Sequence, residues 1–291
     1  FLATYAGATV ARNEVFRDDE RLFEEMVEKV PRSARAWYNV ASVAGARREF
    51  VAARTSLEKA VALFPRYYDA WAFLALVARK EGRWDDARVF YRRALTLKPD
   101  YEIGWQGLAR AEEESGRLAE AEQTCATGLR RLPRSVPLLL HRAALLHALA
   151  RFEEARAAWR EALAADGGSA RAHTGLAQTL SALGRESEAV SEARRALVAA
   201  PGWRDARLFL AERYEARGNV VAAAAELGRA VRGAPRDPKP ARLLLELGTR
   251  EATARGIAST VLSRIEKSFG SPPRNLEVRA AVEAYRAAAR P

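Results

Sequence analysis

A chain of 291 residues, 49% of them hydrophobic, is long enough to bury a sizeable core, and a single cysteine excludes an internal disulfide framework. The formal net charge of +11 makes anionic partners the first electrostatic expectation. Acidic residues are interspersed throughout, however, and no aromatic-plus-basic stacking surface or groove-reading motif occurs, so no nucleic acid is expected.

The sequence begins with Phe and its one methionine is Met26, from which the chain is expected to be processed or cut from something larger. Phe1 to Ala11 is apolar apart from two threonines and a tyrosine. It is shorter than the roughly twenty residues that cross a bilayer, and reads either as a loose half-repeat helix or as the tail of a transmembrane segment. Asp18 to Lys29 reads as a helix with Leu22, Phe23, Met26 and Val27 on its apolar face, continued by Val30. Residues 1–33 therefore form an N-terminal half-repeat or membrane-proximal segment.

From there the chain follows a 34-residue ruler: Pro31, Pro65, Pro99, Pro133, Pro201 and Pro235 lie on it, with Gly167 in the remaining slot. Such a period marks stacked copies of a small unit that cannot bury its apolar face alone. The copies start at Ala34, Tyr68, Glu102, Val136, Ala170 and Arg204. Numbered from those starts, position 8 is always alanine (Ala41 to Ala211), as is position 20 (Ala53 to Ala223), and position 27 is alanine except for Gly128. Small side chains are needed where two helices cross closely. Bulk stands at position 4 (Trp37, Trp71, Trp105, Leu139) and position 24 (Leu57, Tyr91, Trp159). Gly82, Gly116, Gly184 and Gly218 end the first helix of their units, and the closing proline stops the second.

Cys125 occupies position 24 and reads as a small core residue. The fourth unit departs from the pattern, with Arg142 at position 7, Ala150 in the turn, and Asp166-Gly167-Gly168 where a proline is expected. Two adjacent glycines predict a flexure between units four and five. Position 4 becomes His173 and Arg207 in the last two units, which predicts looser packing there. After Pro235 the ruler fails. Pro238 and Pro240 open a helix through Leu243 to Leu247, Ile257 to Ile265 suggest another, Gly270-Ser271-Pro272-Pro273 is a break, and Leu276 to Ala289 is a last amphipathic helix. Residues 34–237 are thus six repeats, and residues 238–291 a divergent seventh repeat with a C-terminal capping helix.

The run Trp71, Leu74, Ala75, Gly82, Ala87, Tyr91, Ala94, Leu95 and Pro99 resembles the tetratricopeptide repeat at that family's spacing, and six registers in succession cover Ala34 to about Asp237. The resemblance implies an all-α, right-handed superhelical solenoid of antiparallel helix pairs with a concave groove lined by the first helices. It implies no chemistry. Thr9, Arg12, Asn13, Phe16, Asp18 and Leu22, then Pro31 and Ser33, resemble the junction in membrane glycosyltransferases of the O-mannosyltransferase type that carry C-terminal tetratricopeptide repeats, with Phe16 in place of the usual Trp. That second resemblance implies a membrane enzyme upstream and repeats on the non-cytoplasmic side. A cytoplasmic chain is the other placement.

No phosphate-binding loop, paired-cysteine or His-x-x-x-His spacing, or nucleophile elbow occurs, so neither catalysis by this chain nor a cofactor or metal is expected. His141 and His147 lie six apart and cannot share a metal locally. Glu112-Glu113-Glu114 and the arginines at positions 25 and 26 (Arg92, Arg93, Arg160, Arg194, Arg195, Arg229) read as solvated faces. In the resembled family the groove is faced by positions 2, 5, 6, 9, 12 and 13. Here that set includes Tyr38, Asn39, Ser42, Phe73, Leu76, Arg79, Gln106, Arg110, Leu140, His141, Thr174, Gln178, Phe209 and Glu212. Only Arg110 fits a two-carboxylate clamp and only Asn39 an asparagine ladder. The mixed chemistry suits a protein or peptide segment held by a few apolar anchors. The expected function is a non-catalytic interaction scaffold; the alternative is an acceptor-recognition domain of a larger membrane glycosyltransferase.

Overall fold

The computed structural model describes residues 27–270 and 273–289, and among them every regular element is helical. The expectations for Phe1 to Ala11, for the junction residues Thr9 to Leu22, and for Phe23 and Met26 lie outside the described residues. Six helix pairs begin on the six starts of the ruler: α1 (Ala34–Ala46) with α2 (Phe50–Leu63), α3 (Tyr68–Lys80) with α4 (Trp84–Leu97), α5 (Glu102–Glu114) with α6 (Leu118–Arg131), α7 (Val136–Ala148) with α8 (Phe152–Ala165), α9 (Ala170–Ala182) with α10 (Glu186–Ala199), and α11 (Arg204–Ala216) with α12 (Val220–Gly233). Beyond them come α13 (Pro238–Arg250), the longer α14 (Ala252–Phe269) and α15 (Leu276–Ala288). The chain forms two compact units, one ending at Leu145 and the other beginning at Leu146.

Each pair is closed by the same turn. At the end of α3 the Gly82 N–H donates to Arg79 O at 3.1 Å and the Arg83 N–H to Ala78 O at 2.9 Å, the two bonds of a Schellman cap. That cap requires a left-handed residue at unit position 15, which Gly82, Gly116, Gly184 and Gly218 supply with φ between 72° and 81°. Arg48 (φ 64°) and Ala150 (φ 57°) adopt the same conformation without being glycine. The turn geometry is therefore set by the helix crossing, and the non-glycine residues follow it under strain.

The crossings are as tight as the alanines predict. Ala41, Ala75, Ala109, Ala143 and Ala177 have no exposed surface, and neither do the six alanines at position 20. Glycines do the same between pairs. A Cβ on Gly107 would lie 2.3 Å from the Tyr91 ring, and one on Gly175 2.3 Å from the Trp159 ring. These two glycines are at position 6, under the position-24 aromatic of the preceding pair.

Position 4 carries a hydrogen-bond ladder that apolar bulk alone would not demand. Trp37, Trp71 and Trp105 donate their Nε1–H to the carbonyls of Pro31, Pro65 and Pro99 at 2.9, 2.9 and 2.8 Å. In the fourth pair Leu139 has no donor, but in the fifth and sixth a polar side chain keeps the bond: a His173 ring nitrogen meets Gly167 O at 3.3 Å, and Arg207 donates to Pro201 O. The opposing helix changes in step. Trp71 stacks on Phe90 with centroids 5.7 Å apart, whereas His173 meets Glu192 at 2.7 Å and Arg207 meets Glu226 at 2.7 Å, all three partners at position 23. The expected loosening at His173 and Arg207 is thus corrected: an aromatic pair is exchanged for a hydrogen-bonded polar one. The turn at Asp166 to Ser169 likewise keeps the bond seen at the prolines, Ser169 N–H to Asp166 O at 3.2 Å, and Gly168 N–H adds a bond to the Asp166 carboxylate at 3.1 Å.

The acidic run on α5 is corrected too. Glu112 is 1% exposed, accepts from Thr124 at 2.6 Å and from Arg92 at 3.2 Å, and lies 3.8 Å from Arg88. Glu113 meets His141 at 2.8 Å and Glu114 meets Arg79 at 2.6 Å. Arginines join one pair to the next in the same way: Arg54 to Glu81, Arg88 to Glu120, Arg204 to Asp237 and Arg250 to Glu215. Exposed pairs of this kind contribute at most about 1 kcal/mol each, so they favour one register rather than supply the stability. At the C-terminal end Leu244, Leu245, Leu247, Val261, Ile265, Val278, Val282 and Tyr285 form one core, and the Tyr285 hydroxyl donates to Arg255 O at 2.9 Å.

Ala150→Gly should relieve the strained turn and raise stability by roughly 0.5–1 kcal/mol, read as a shift of the denaturation midpoint at unchanged m-value.

Candidate functional site

Within each compact unit the first helices of successive pairs touch directly, α3 against α5 and α9 against α11, and form a continuous face. The residues expected on that face separate into three groups.

In the first unit Tyr38 and Phe73 come together, ring centroids 5.8 Å apart and edge to face. Tyr67 lies 5.2 Å from Tyr38 and 6.0 Å from Phe64, which is 50% exposed, so the rings continue as a strip from Phe64 to Phe73. Beside it Tyr68 and Tyr101 stand edge to face at 5.0 Å, and the Lys98 ammonium sits 4.6 Å from one centroid and 5.5 Å from the other. Asp69, in the first turn of α3, joins the two groups, for its carboxylate acts on the phenols of Tyr38, Tyr67 and Tyr101. Burial, with the Asp69 charge behind it, pushes the Tyr38 and Tyr67 phenols up. Burial and then the Asp69 carboxylate push Tyr101 up in the same direction. Asn39, Leu76 and Gln106 are half-buried, Ser42 donates to Tyr38 O at 3.1 Å, and Arg110 is exposed.

In the second unit Gln178, Phe209 and Glu212 line one pocket of about 500 Å³. Its floor is Leu208, Phe209, Leu227 and Leu243, and its rim adds Ser181, Asp205, Arg213 and Lys239. Arg213 is braced across the gap between α9 and α11, donating to Ser181 at 3.0 Å and Glu186 at 3.3 Å, with its guanidinium 5.6 Å from the Phe209 ring.

The third group is turned inward. Thr174 is 4% exposed and donates to Ala170 O at 2.7 Å, so its hydroxyl is used by its own helix. His141 is 8% exposed and meets Glu113, and Arg79 is held by Glu114. These three face packing partners rather than open surface, a correction to their expected place. Cys125 has no exposed surface, and burial pushes its thiol up to about 12. Among the described residues no group of three or more His, Cys, Asp or Glu is placed to hold a metal ion, and no helix is long and apolar enough to cross a membrane.

Sequence reasoning missed Tyr67, Tyr68, Asp69, Lys98 and Tyr101 in the first unit and Arg213 and Lys239 in the second. A signal for the first set existed: Tyr67 and Tyr101 occupy the same place, one residue before a first helix.

Two first-helix faces built from hairpins of fixed length, with left-handed turn residues and small side chains at every crossing, define a helical-repeat protein. Family models for the tetratricopeptide repeat match residues 78–146 and, in two stretches, residues 41–102 and 142–203. The matches together run over more than half of the chain, which belongs to the tetratricopeptide-repeat family. Its structure is similar to a tetratricopeptide repeat protein from Parabacteroides merdae, with a TM-score of 0.62 at 18% identity over 91% of this chain and 98% of that one. It is also similar to pilF of Pseudomonas aeruginosa (0.55, 19%, 73% and 95%) and to YrrB, a TPR protein with an unusual peptide-binding site (0.52, 16%, 63% and 95%). At these identities the likeness shows the fold alone. No curated protein matches the chain.

The Tyr101 phenol titrates higher in the folded chain than its ordinary value of 10.0, so its contribution to stability is complete below about pH 10 and is lost as pH climbs through the raised value. The stability of wild type relative to Tyr101→Phe should therefore stay constant below about pH 10 and fall steadily as pH rises beyond it, read from denaturation curves of the two proteins.

Proposed function

We propose that the chain is a protein-interaction scaffold that holds a polypeptide segment against its first-helix faces. The observation that carries this reading is the pocket over Phe209. Its apolar floor, its polar rim and its volume of about 500 Å³ suit one large apolar side chain with the backbone and neighbouring side chains of an extended segment around it. Leu208, Phe209 and Leu243 supply the anchor seat. Gln178, Glu212 and Lys239 supply adaptable polar contacts around it. Arg213 pre-organises the rim, because its bonds to Ser181 and Glu186 hold α9 and α11 in fixed relation before any ligand arrives.

YrrB, a TPR protein with an unusual peptide-binding site, offers a precedent for peptide capture on this fold. The aromatic strip of the first unit supports the same reading independently, since half-buried tyrosines supply large contact area with few rotamers to immobilise.

Selection of a random twelve-residue peptide library against the full chain tests the proposal. Enriched peptides should carry an apolar anchor, and Leu208→Ala or the paired change Gln178→Ala with Glu212→Ala should weaken them about tenfold at unchanged helix content, the loss typical of a contact residue. Failure to enrich any sequence, or enriched peptides indifferent to both variants, would contradict it.

A further inference from the structure

The aromatic strip of the first unit has a chemistry of its own, distinct from the pocket over Phe209. Four tyrosines gather here: the Asp69 charge acts on Tyr38, Tyr67 and Tyr101, and Tyr68 packs against Tyr101. Two of them are in use. Lys98 lies over Tyr68 and Tyr101, and its ammonium donates to the Tyr68 hydroxyl at 3.3 Å. Lys59, in the same unit, sits 4.0 Å from the Trp37 centroid. The first unit thus seats an ammonium on an aromatic face at two places, the arrangement expected when a ring quadrupole attracts a cation.

Tyr38 and Tyr67 repeat the pairing on the other side of Asp69, 5.2 Å apart and tilted by 35°, with Phe64 and Phe73 extending the surface at either end. Both rings are only half-buried, and neither carries a described cation over its face. The Asp69 carboxylate acts on the Tyr101 phenol and has no ion pair among the described residues. The charged groups around the pair are Asp69 itself, Arg35 on α1 near Tyr67, and Lys98 beyond Tyr101. A carboxylate near neutral phenols and beside aromatic faces that carry no cation is complementary to a cationic side chain. It is not complementary to an anion, which would meet both the carboxylate and the electron-rich rings.

We propose that the Tyr38–Tyr67 pair with Asp69 is a seat for a lysine or arginine side chain of an extended partner segment. This deepens the scaffold reading and rests on it: the pocket over Phe209 takes an apolar anchor, and this strip selects partners by a basic residue. The ammonium or guanidinium packs on the Tyr38 and Tyr67 faces, its charge turned to Asp69, while Phe64 and Phe73 cover its methylene stem.

Fluorescence anisotropy of three labelled ten-residue peptides on the full chain tests it, with serine alternating with lysine, glutamate or norleucine. The lysine peptide is expected to bind about tenfold or more tightly than the others, and Asp69→Asn and Tyr38→Leu each to weaken it about tenfold, the size of a desolvated cation–aromatic contact. Helix content and unfolding midpoint serve as controls. Should Tyr38→Leu lower the midpoint, Tyr67→Leu at the more exposed ring carries the same expectation. Val198→Ala, at an exposed residue of the other unit outside its pocket, should leave lysine-peptide binding intact. Preference for the glutamate or norleucine peptide, or lysine-peptide binding indifferent to Asp69→Asn, overturns the seat while the library selection leaves the scaffold reading standing. Absence of binding by all three peptides also overturns the seat, and failure of the library selection as well removes the scaffold reading with it.

Discussion

How closely one helix pair approaches the next is decided by two side chains sixteen residues apart, at position 24 of one pair and position 6 of the following one. Tyr91 and Trp159 are large, and Gly107 and Gly175 stand beneath them with no room for a Cβ. Cys125 and Ala193 are small, and the residues at the matching places are His141 and Phe209, both buried. At these four junctions the bulk is conserved in sum while its owner alternates, as close packing requires, whereas the first junction pairs two large side chains, Leu57 and Phe73. The ladder at position 4 runs through five of the six pairs, with Trp, His or Arg donating to the carbonyl six residues earlier, and the position-23 carboxylates Glu192 and Glu226 face the two polar donors His173 and Arg207.

The candidate binding surfaces are what this packing leaves over. Position 6 is committed to the junction wherever it holds glycine or His141, and position 5 is committed at Thr174. Open surface therefore gathers at two places. Near Tyr38 the residues just ahead of the first helices add Tyr67 and Tyr101 to the face. Near Phe209 the position-6 side chain is large enough to form the floor of a pocket while its edge packs inward. Several arginines, Arg54, Arg88, Arg204 and Arg250 among them, tie neighbouring pairs to each other.

The hairpins were legible in the sequence because their determinants are local and periodic. Small residues at positions 8, 20 and 27 and a left-handed residue at position 15 recur at fixed intervals, and every first helix begins on the start they imply. The faces were legible only in part. Tyr38, Phe73, Gln178, Phe209 and Glu212 follow from their place on the first helix, but Thr174 and His141 share those places and turn inward, because orientation depends on the size of a neighbour one pair away. Glu112 was misread for a similar reason. A carboxylate looks solvated until Arg88, Arg92 and Thr124, from the facing helices, are seen to enclose it. Tyr67, Tyr101 and Lys98 fall outside the helix faces altogether, so no helical periodicity points to them.

The junction rule is tested most directly by exchanging its two members. Gly175→Phe alone sets a second large ring against Trp159 and should cost about 3 kcal/mol or more in chemical denaturation. Gly175→Phe with Trp159→Ala, which reproduces the Ala193 and Phe209 combination found one junction later, should recover most of that loss. A double variant no more stable than the single one, or a single variant as stable as wild type, would show that the spacing of the hairpins is set elsewhere.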